Sequence, residues 1–174
     1  MATPSASKIA CQLKSSGPND CQLIVQFVRE GDRYSHSVLL ETGGQCHELL
    51  RSLEGDPQED WPASPPLQQL SDEHQDEGHV ALAVGMAGKS HWSLSAQAQP
   101  NGVVAFDVAC RVTHEPQQLG SAYSVTSQQV DGLRLEVVGE GVVSNEGAAS
   151  ISPTLVTELP HTYRWQYSLR INDL

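Results

Sequence analysis

Along most of this chain apolar and polar residues alternate with a period of two, the pattern of β-strands that bury one face. Residues 21–29 and 33–41 alternate in this way and flank Gly31-Asp32, a pair suited to the positive φ of a tight hairpin turn. They predict a first hairpin, with 8–13 beside it. Trp92, Leu94, Ala96 and Ala98 alternate with Ser93, Ser95, Gln97 and Gln99, Pro100-Asn101-Gly102 turns the chain, and Val103 to Val112 returns. This is the clearest hairpin of the sequence. Residues 121–127 and 133–138, with Asp131-Gly132 between them, read as another pair, and 148–157 with 163–171 as the last. In the final strand Tyr163, Trp165, Tyr167, Leu169 and Ile171 share one face, and Arg164, Gln166, Ser168 and Arg170 share the other. His79 to Met86 is nearly all apolar and reads as a central strand covered on both faces.

Two segments break the alternation. Thr42-Gly43-Gly44-Gln45 has the spacing of a capping box, and Cys46, Leu49, Leu50 and Leu53 follow at i, i+3, i+4 and i+7 before Gly55. This predicts one short α-helix over about 44–54. The second is an acidic, Pro-rich excursion over about 55–78. It holds Trp61-Pro62-Ala63-Ser64-Pro65-Pro66, and no Lys or Arg occurs between Arg51 and Lys89. Proline removes ladder donors, so this stretch reads as a long loop pinned by Trp61, Leu67 and Leu70. The expected fold is one mostly β domain over 1–174: an antiparallel two-sheet sandwich or a closed β-barrel of about 8–10 strands, with the one short helix.

Charge narrows the function classes. The net charge is -11 and the basic residues are scattered, which argues against neutralising nucleic-acid phosphates or docking on anionic lipid. No apolar run approaches the roughly 20 residues of a membrane-spanning helix. Met1 to Ser7 lacks the basic flank and apolar stretch of a secretory signal. Cysteines 11, 21, 46 and 110 form no Cys-x-x-Cys pair, and three of them lie on apolar faces, as reduced buried thiols do. A Cys11–Cys21 cross-link is the alternative. Together these features predict a cytoplasmic protein.

Residues 83–90, Ala-Val-Gly-Met-Ala-Gly-Lys-Ser, match a phosphate-loop pattern loosely. In that reading Gly88, Lys89 and Ser90 cradle a nucleotide, and Asp107 helps to hold Mg²⁺. The context argues against it, because His91 to Gln99 alternates as a strand, and a strand offers no helix N-terminus to a phosphate. Asp72, Glu73, His74, Asp76, Glu77 and His79 form a dense set of oxygen and imidazole donors for a divalent metal, without the spacing of an EF-hand. His91, Asp107 and His114, with Ser93 nearby, are the residue types of acyl transfer, but no nucleophile elbow is present.

The aromatic residues Trp61, Trp92, Tyr163, Trp165 and Tyr167 are the candidates for binding a flat ligand, with core filling as the competing role for the last four. Neither the Gly-x-Trp entry strand of lipocalin-like barrels nor the Cys…Trp…Cys spacing of immunoglobulin domains is present. The leading expectation is a non-enzymatic module, without a cofactor, that binds an unknown small molecule or protein. The 54–78 excursion is its expected docking surface, and deletion of 56–76 is expected to leave the fold intact. An unpaired edge strand offers a route to a homodimer.

Overall fold

Glycine-bearing turns set much of the strand pairing. The computed structural model describes residues 8–76 and 78–174. The seven residues read as lacking a leader, and Glu77 of the metal-donor set, lie outside the described residues. Strands β1 (Ile9–Ser16), β2 (Gln22–Glu30), β3 (Arg33–Thr42) and β4 (Gln45–Ser52) form a meander. The chain then crosses over to β5 (Gln69–Gln75), β6 (Gly78–Ala87), β7 (Ser90–Gln99) and β8 (Val103–Val112), a second meander. The remainder alternates between the layers through β9 (Ser121–Val125), β10 (Gln129–Val130), β11 (Leu133–Gly139), β12 (Val142–Asn145), β13 (Ala148–Ile151) and β14 (His161–Asp173). The result is two antiparallel seven-stranded sheets, ordered β1-β2-β3-β4-β9-β13-β12 and β10-β11-β14-β8-β7-β6-β5. They form a sandwich, not a closed barrel. Among the described residues no helix is long and apolar enough to cross a membrane.

The expected helix at 44–54 is strand β4, and the reason is local. Gly43 and Gly44 both take positive φ, 56° and 76°, as a two-residue hairpin turn requires, and so send the chain back beside β3. The register then slips: Val38 faces Leu50 while Leu39 faces Glu48, which leaves Leu49 as the extra residue of a β-bulge. The bulge shifts the phase of alternation, so Leu49 and Leu50 are both buried. One phase shift in a strand had produced a spacing of three and four. Two predicted pairings also fail. β9 and β11 lie in different sheets, as do β13 and β14. β14 instead pairs with β8 on one side and β11 on the other.

The excursion divides in two. Residues 69–75 are edge strand β5, paired with β6. The Pro-rich part before it is a buried strap, not an exposed loop: Pro62, Ser64, Pro65, Pro66 and Leu67 are all buried. Its partners are backbone groups of both sheets. Tyr34 N donates to the Leu67 carbonyl at 2.7 Å, and Gln68 N donates to Val84 O at 2.8 Å. Ser64 Oγ donates to Ala122 O and accepts from Ala122 N, both at 3.0 Å. Gly85 is what lets the strap approach β6, since a Cβ there would lie 1.5 Å from the Pro66 carbonyl oxygen.

The core is one contiguous cluster drawn from both sheets. Phe27, Phe106, Trp92, Trp165, Tyr123 and Tyr167 supply its bulk, and all are 4% exposed or less. Strand β6 is not covered on both faces as its apolar run suggested: Leu82, Val84 and Met86 point outward and are 37%, 47% and 46% exposed.

Candidate functional site

Four places in the sandwich collect chemistry. The first is a polar seam between the sheets. His36 on β3 sits among the rings of Phe27, Phe106 and Tyr123. Its Nε2 and the Tyr123 hydroxyl are 2.8 Å apart, and the Tyr123 and Tyr167 hydroxyls 2.6 Å apart. Trp165 Nε1 donates to Ser121 Oγ at 3.0 Å. Toward the rim His36 N donates to Ser52 Oγ, which donates to Glu54 Oε1 at 2.6 Å. Burial pushes His36 down to about 4 and Tyr167 up to about 12. Burial also lifts the Glu54 carboxyl to about 7, a rise that the Ser52 hydrogen bond and nearby Arg33 only partly offset. This seam is closed, and it orients aromatic residues across the core. Trp92, Tyr163, Trp165 and Tyr167, the candidates for a flat ligand, are all buried, with Trp92 edge-on to Trp165 at 6.0 Å. Tyr163 and Trp165 also border a cavity of about 630 Å³ beside His161 and Arg164, and Trp92 borders the groove on the outer face of the second sheet.

The second place is a cavity of about 410 Å³ under the strap, lined by Asp60, Trp61, Gly88, Lys89, Ser90, Thr113 and His114. It gathers three residues of the phosphate-loop match, yet not in a phosphate-binding form. Gly88-Lys89 is a two-residue turn from β6 straight into β7, with Gly88 at φ 54°. The Asp60 carboxylate lies against Gly88, so a like charge occupies the place a phosphate would take. Asp107 stands on the outer face opposite Ser95, five residues along β7 from Ser90, roughly 17 Å away at strand rise. There Arg164 and Gln166 hydrogen-bond it, and the guanidinium holds its carboxyl below the usual range. The nucleotide set does not assemble.

The acyl-transfer set does not assemble either. His91 faces Arg111 across the ladder, four residues from the level of Asp107. His114 lies beyond the end of β8 and bonds Thr113 Oγ1 at 2.9 Å.

The third place is a groove of about 580 Å³ on the outer face of the second sheet. Val84 and Met86 of β6 form one wall, His91 and Ser93 of β7 the floor, and Ala109 and Arg111 of β8 the far side. The contact found for the Arg111 guanidinium among the described residues is a long one, 3.5 Å to Thr162 Oγ1. The apolar spacing of 82, 84 and 86 is the sequence signal for this surface, and an apolar run looks the same whether its second face is covered or open.

The fourth place is the sandwich rim where edge strands β1 and β5 approach β6. Of the six predicted metal donors the structure brings Asp72 and His79 together, with Asp72 Oδ2 and His79 Nε2 3.0 Å apart. The ring of His74 stacks on His79 at 4.1 Å. Glu73 alternates to the opposite face of β5, and Asp76 sits in the turn. The residue that sequence reasoning missed is Cys11 of β1, whose sulfur joins Asp72 and His79 with donor atoms all within 4.8 Å of one another. Burial, reinforced by the Asp72 charge, pushes the Cys11 thiol up to about 11. All four cysteines are free, so the Cys11–Cys21 cross-link is not formed. No known protein family, curated protein or solved structure matches this chain.

Proposed function

We propose that this chain is a non-enzymatic β-sandwich binding module, and that its seat is the outer-face groove of the second sheet rather than the Pro-rich excursion. The observation that carries this reading is the row Leu82, Val84 and Met86, exposed on a sheet face whose other strands carry mainly polar side chains. Exposed apolar rows of this kind mark interaction surfaces more often than scattered apolar residues do. The chemistry of the lining selects the ligand class. Val84, Met86 and Ala109 suit an apolar body, and Arg111 suits an anionic group, with donors to spare beyond Thr162.

The test uses anilinonaphthalene sulfonate, an aromatic body with one sulfonate, followed by its fluorescence. Saturable one-to-one binding, weakened by both Val84→Glu and Arg111→Gln, is the expected result. Absence of saturable binding, or binding indifferent to both substitutions, ends the reading.

A further inference from the structure

We infer that Cys11, Asp72 and His79 form a binding site for a divalent transition-metal ion of zinc type, independent of the groove. Three strands from two sheets converge to build it. Cys11 comes from β1 at the edge of the first sheet, Asp72 from β5 at the edge of the second, and His79 from β6 beside it. Their donor atoms, one sulfur, one carboxylate oxygen and one imidazole nitrogen, lie within 4.8 Å of one another. Donors gathered around one ion at roughly 2.0–2.3 Å stand about 3–4 Å apart, so a small inward rotation of side chains closes the set.

The direction of each side chain follows from the ladders. Asp72 and His74 share the inward face of β5 with Leu70, and His79 shares the inward face of β6 with Ala81 and Ala83. In β1 the register slips between Ile9 and Cys11, and a bulge of this kind re-aims the side chain beside it. The exposures are graded. The Cys11 residue is 4% exposed, the His79 side chain 19% and the Asp72 side chain 46%, so the sulfur is sheltered while the carboxylate faces the entry path.

The donor types choose the ion. Thiolate with imidazole and one carboxylate suits zinc and its neighbours, whereas calcium and magnesium take oxygen sets. Three protein donors leave a tetrahedral fourth position to solvent or a small ligand. The groove lies on the other face of the sheet, around Val84 and Met86, so either assignment can fail without the other.

The experiment is a Co²⁺ titration of the full chain under reducing conditions, followed by absorption. The expected result is one equivalent bound, with a thiolate-to-cobalt charge-transfer band that Zn²⁺ bleaches. Cys46→Ser, which removes the exposed thiol, leaves the band unchanged. Cys11→Ser abolishes the band, and His79→Gln weakens binding by more than the roughly 10–100-fold that losing an outer hydrogen-bonding partner of a ligand costs. Because Cys11 is in the core, His79→Gln at the rim decides the matter should Cys11→Ser not fold. No saturable binding, a band that survives Cys11→Ser, or unchanged affinity in His79→Gln overturns the assignment.

Discussion

Strands β6 and β14 belong to the same sheet and bury the same kind of inner face, but their outer faces differ. The outer positions of β14 carry Arg164, Gln166, Ser168 and Arg170, while those of β6 carry Leu82, Val84 and Met86. The inner faces meet the demands of the core: Tyr163, Trp165 and Tyr167 on β14 and Ala81 and Ala83 on β6 are all at most 4% exposed. The outer apolar row of β6 answers no such demand, because Val84 and Met86 remain 47% and 46% exposed. The comparison separates residues that hold the sandwich together from residues free to serve a ligand.

Several substitutions sharpen that separation, beginning with the largest effect. Trp165→Ala removes a buried ring, its hydrogen bond to Ser121 and its edge contact with Trp92. It should cost about 3–5 kcal/mol, read from the urea midpoint. Its outward neighbour Arg164→Ala should leave that midpoint in place, as an exposed ion pair contributes little. A large loss from Arg164→Ala would erase the distinction between the two faces.

Gly85→Ala comes next. The new methyl meets the Pro66 carbonyl, so either the strap or β6 must move, at about 1–3 kcal/mol or more. Limited proteolysis should then cleave within 56–68, and a strap as resistant as the parent's would show that it holds without close contact to β6. The same contacts predict that deleting the strap prevents folding, against the expectation drawn from its composition.

The polar seam contributes a pH dependence with two opposed parts. Glu54 is raised from an ordinary 4.5 to about 7, so its contribution is full below 4.5 and is lost as pH rises through about 7. His36 is lowered from an ordinary 6.5 to about 4, so its contribution is full above 6.5 and is lost as pH falls toward about 4. Between those limits the two offset each other. Glu54→Gln should expose the histidine alone, giving a thermal midpoint that climbs with pH from about 4 to 6.5 and does not decline through 7. Superimposable profiles for parent and variant would remove Glu54 from the seam's titration.

The smallest stability effect belongs to the groove. Val84→Glu should change stability by no more than about 0.5 kcal/mol while weakening the sulfonate dye. If it unfolds the protein, β6 is part of the core on both faces after all.

Much of this architecture was present in local pattern. The hairpin of β7 and β8, the pairing of β1, β2 and β3, and the core role of Tyr163, Trp165 and Tyr167 all follow from alternation and turn residues. Such signals are local because a strand's side chains repeat every two residues and a tight turn joins neighbours. Tertiary structure decided the rest. It made a strand of 45–52, where a bulge at Leu49 disguised the period, and it sent β9 and β13 to one sheet and β11 and β14 to the other. It made the Pro-rich stretch a buried strap through hydrogen bonds to β3, β6 and β9. It also placed Cys11 against Asp72 and His79, some sixty residues away in sequence. Alternation tells which residues share a face but not which strand a face meets. That choice depends on long-range closure and on the packing of two sheets, which no window of neighbouring residues contains.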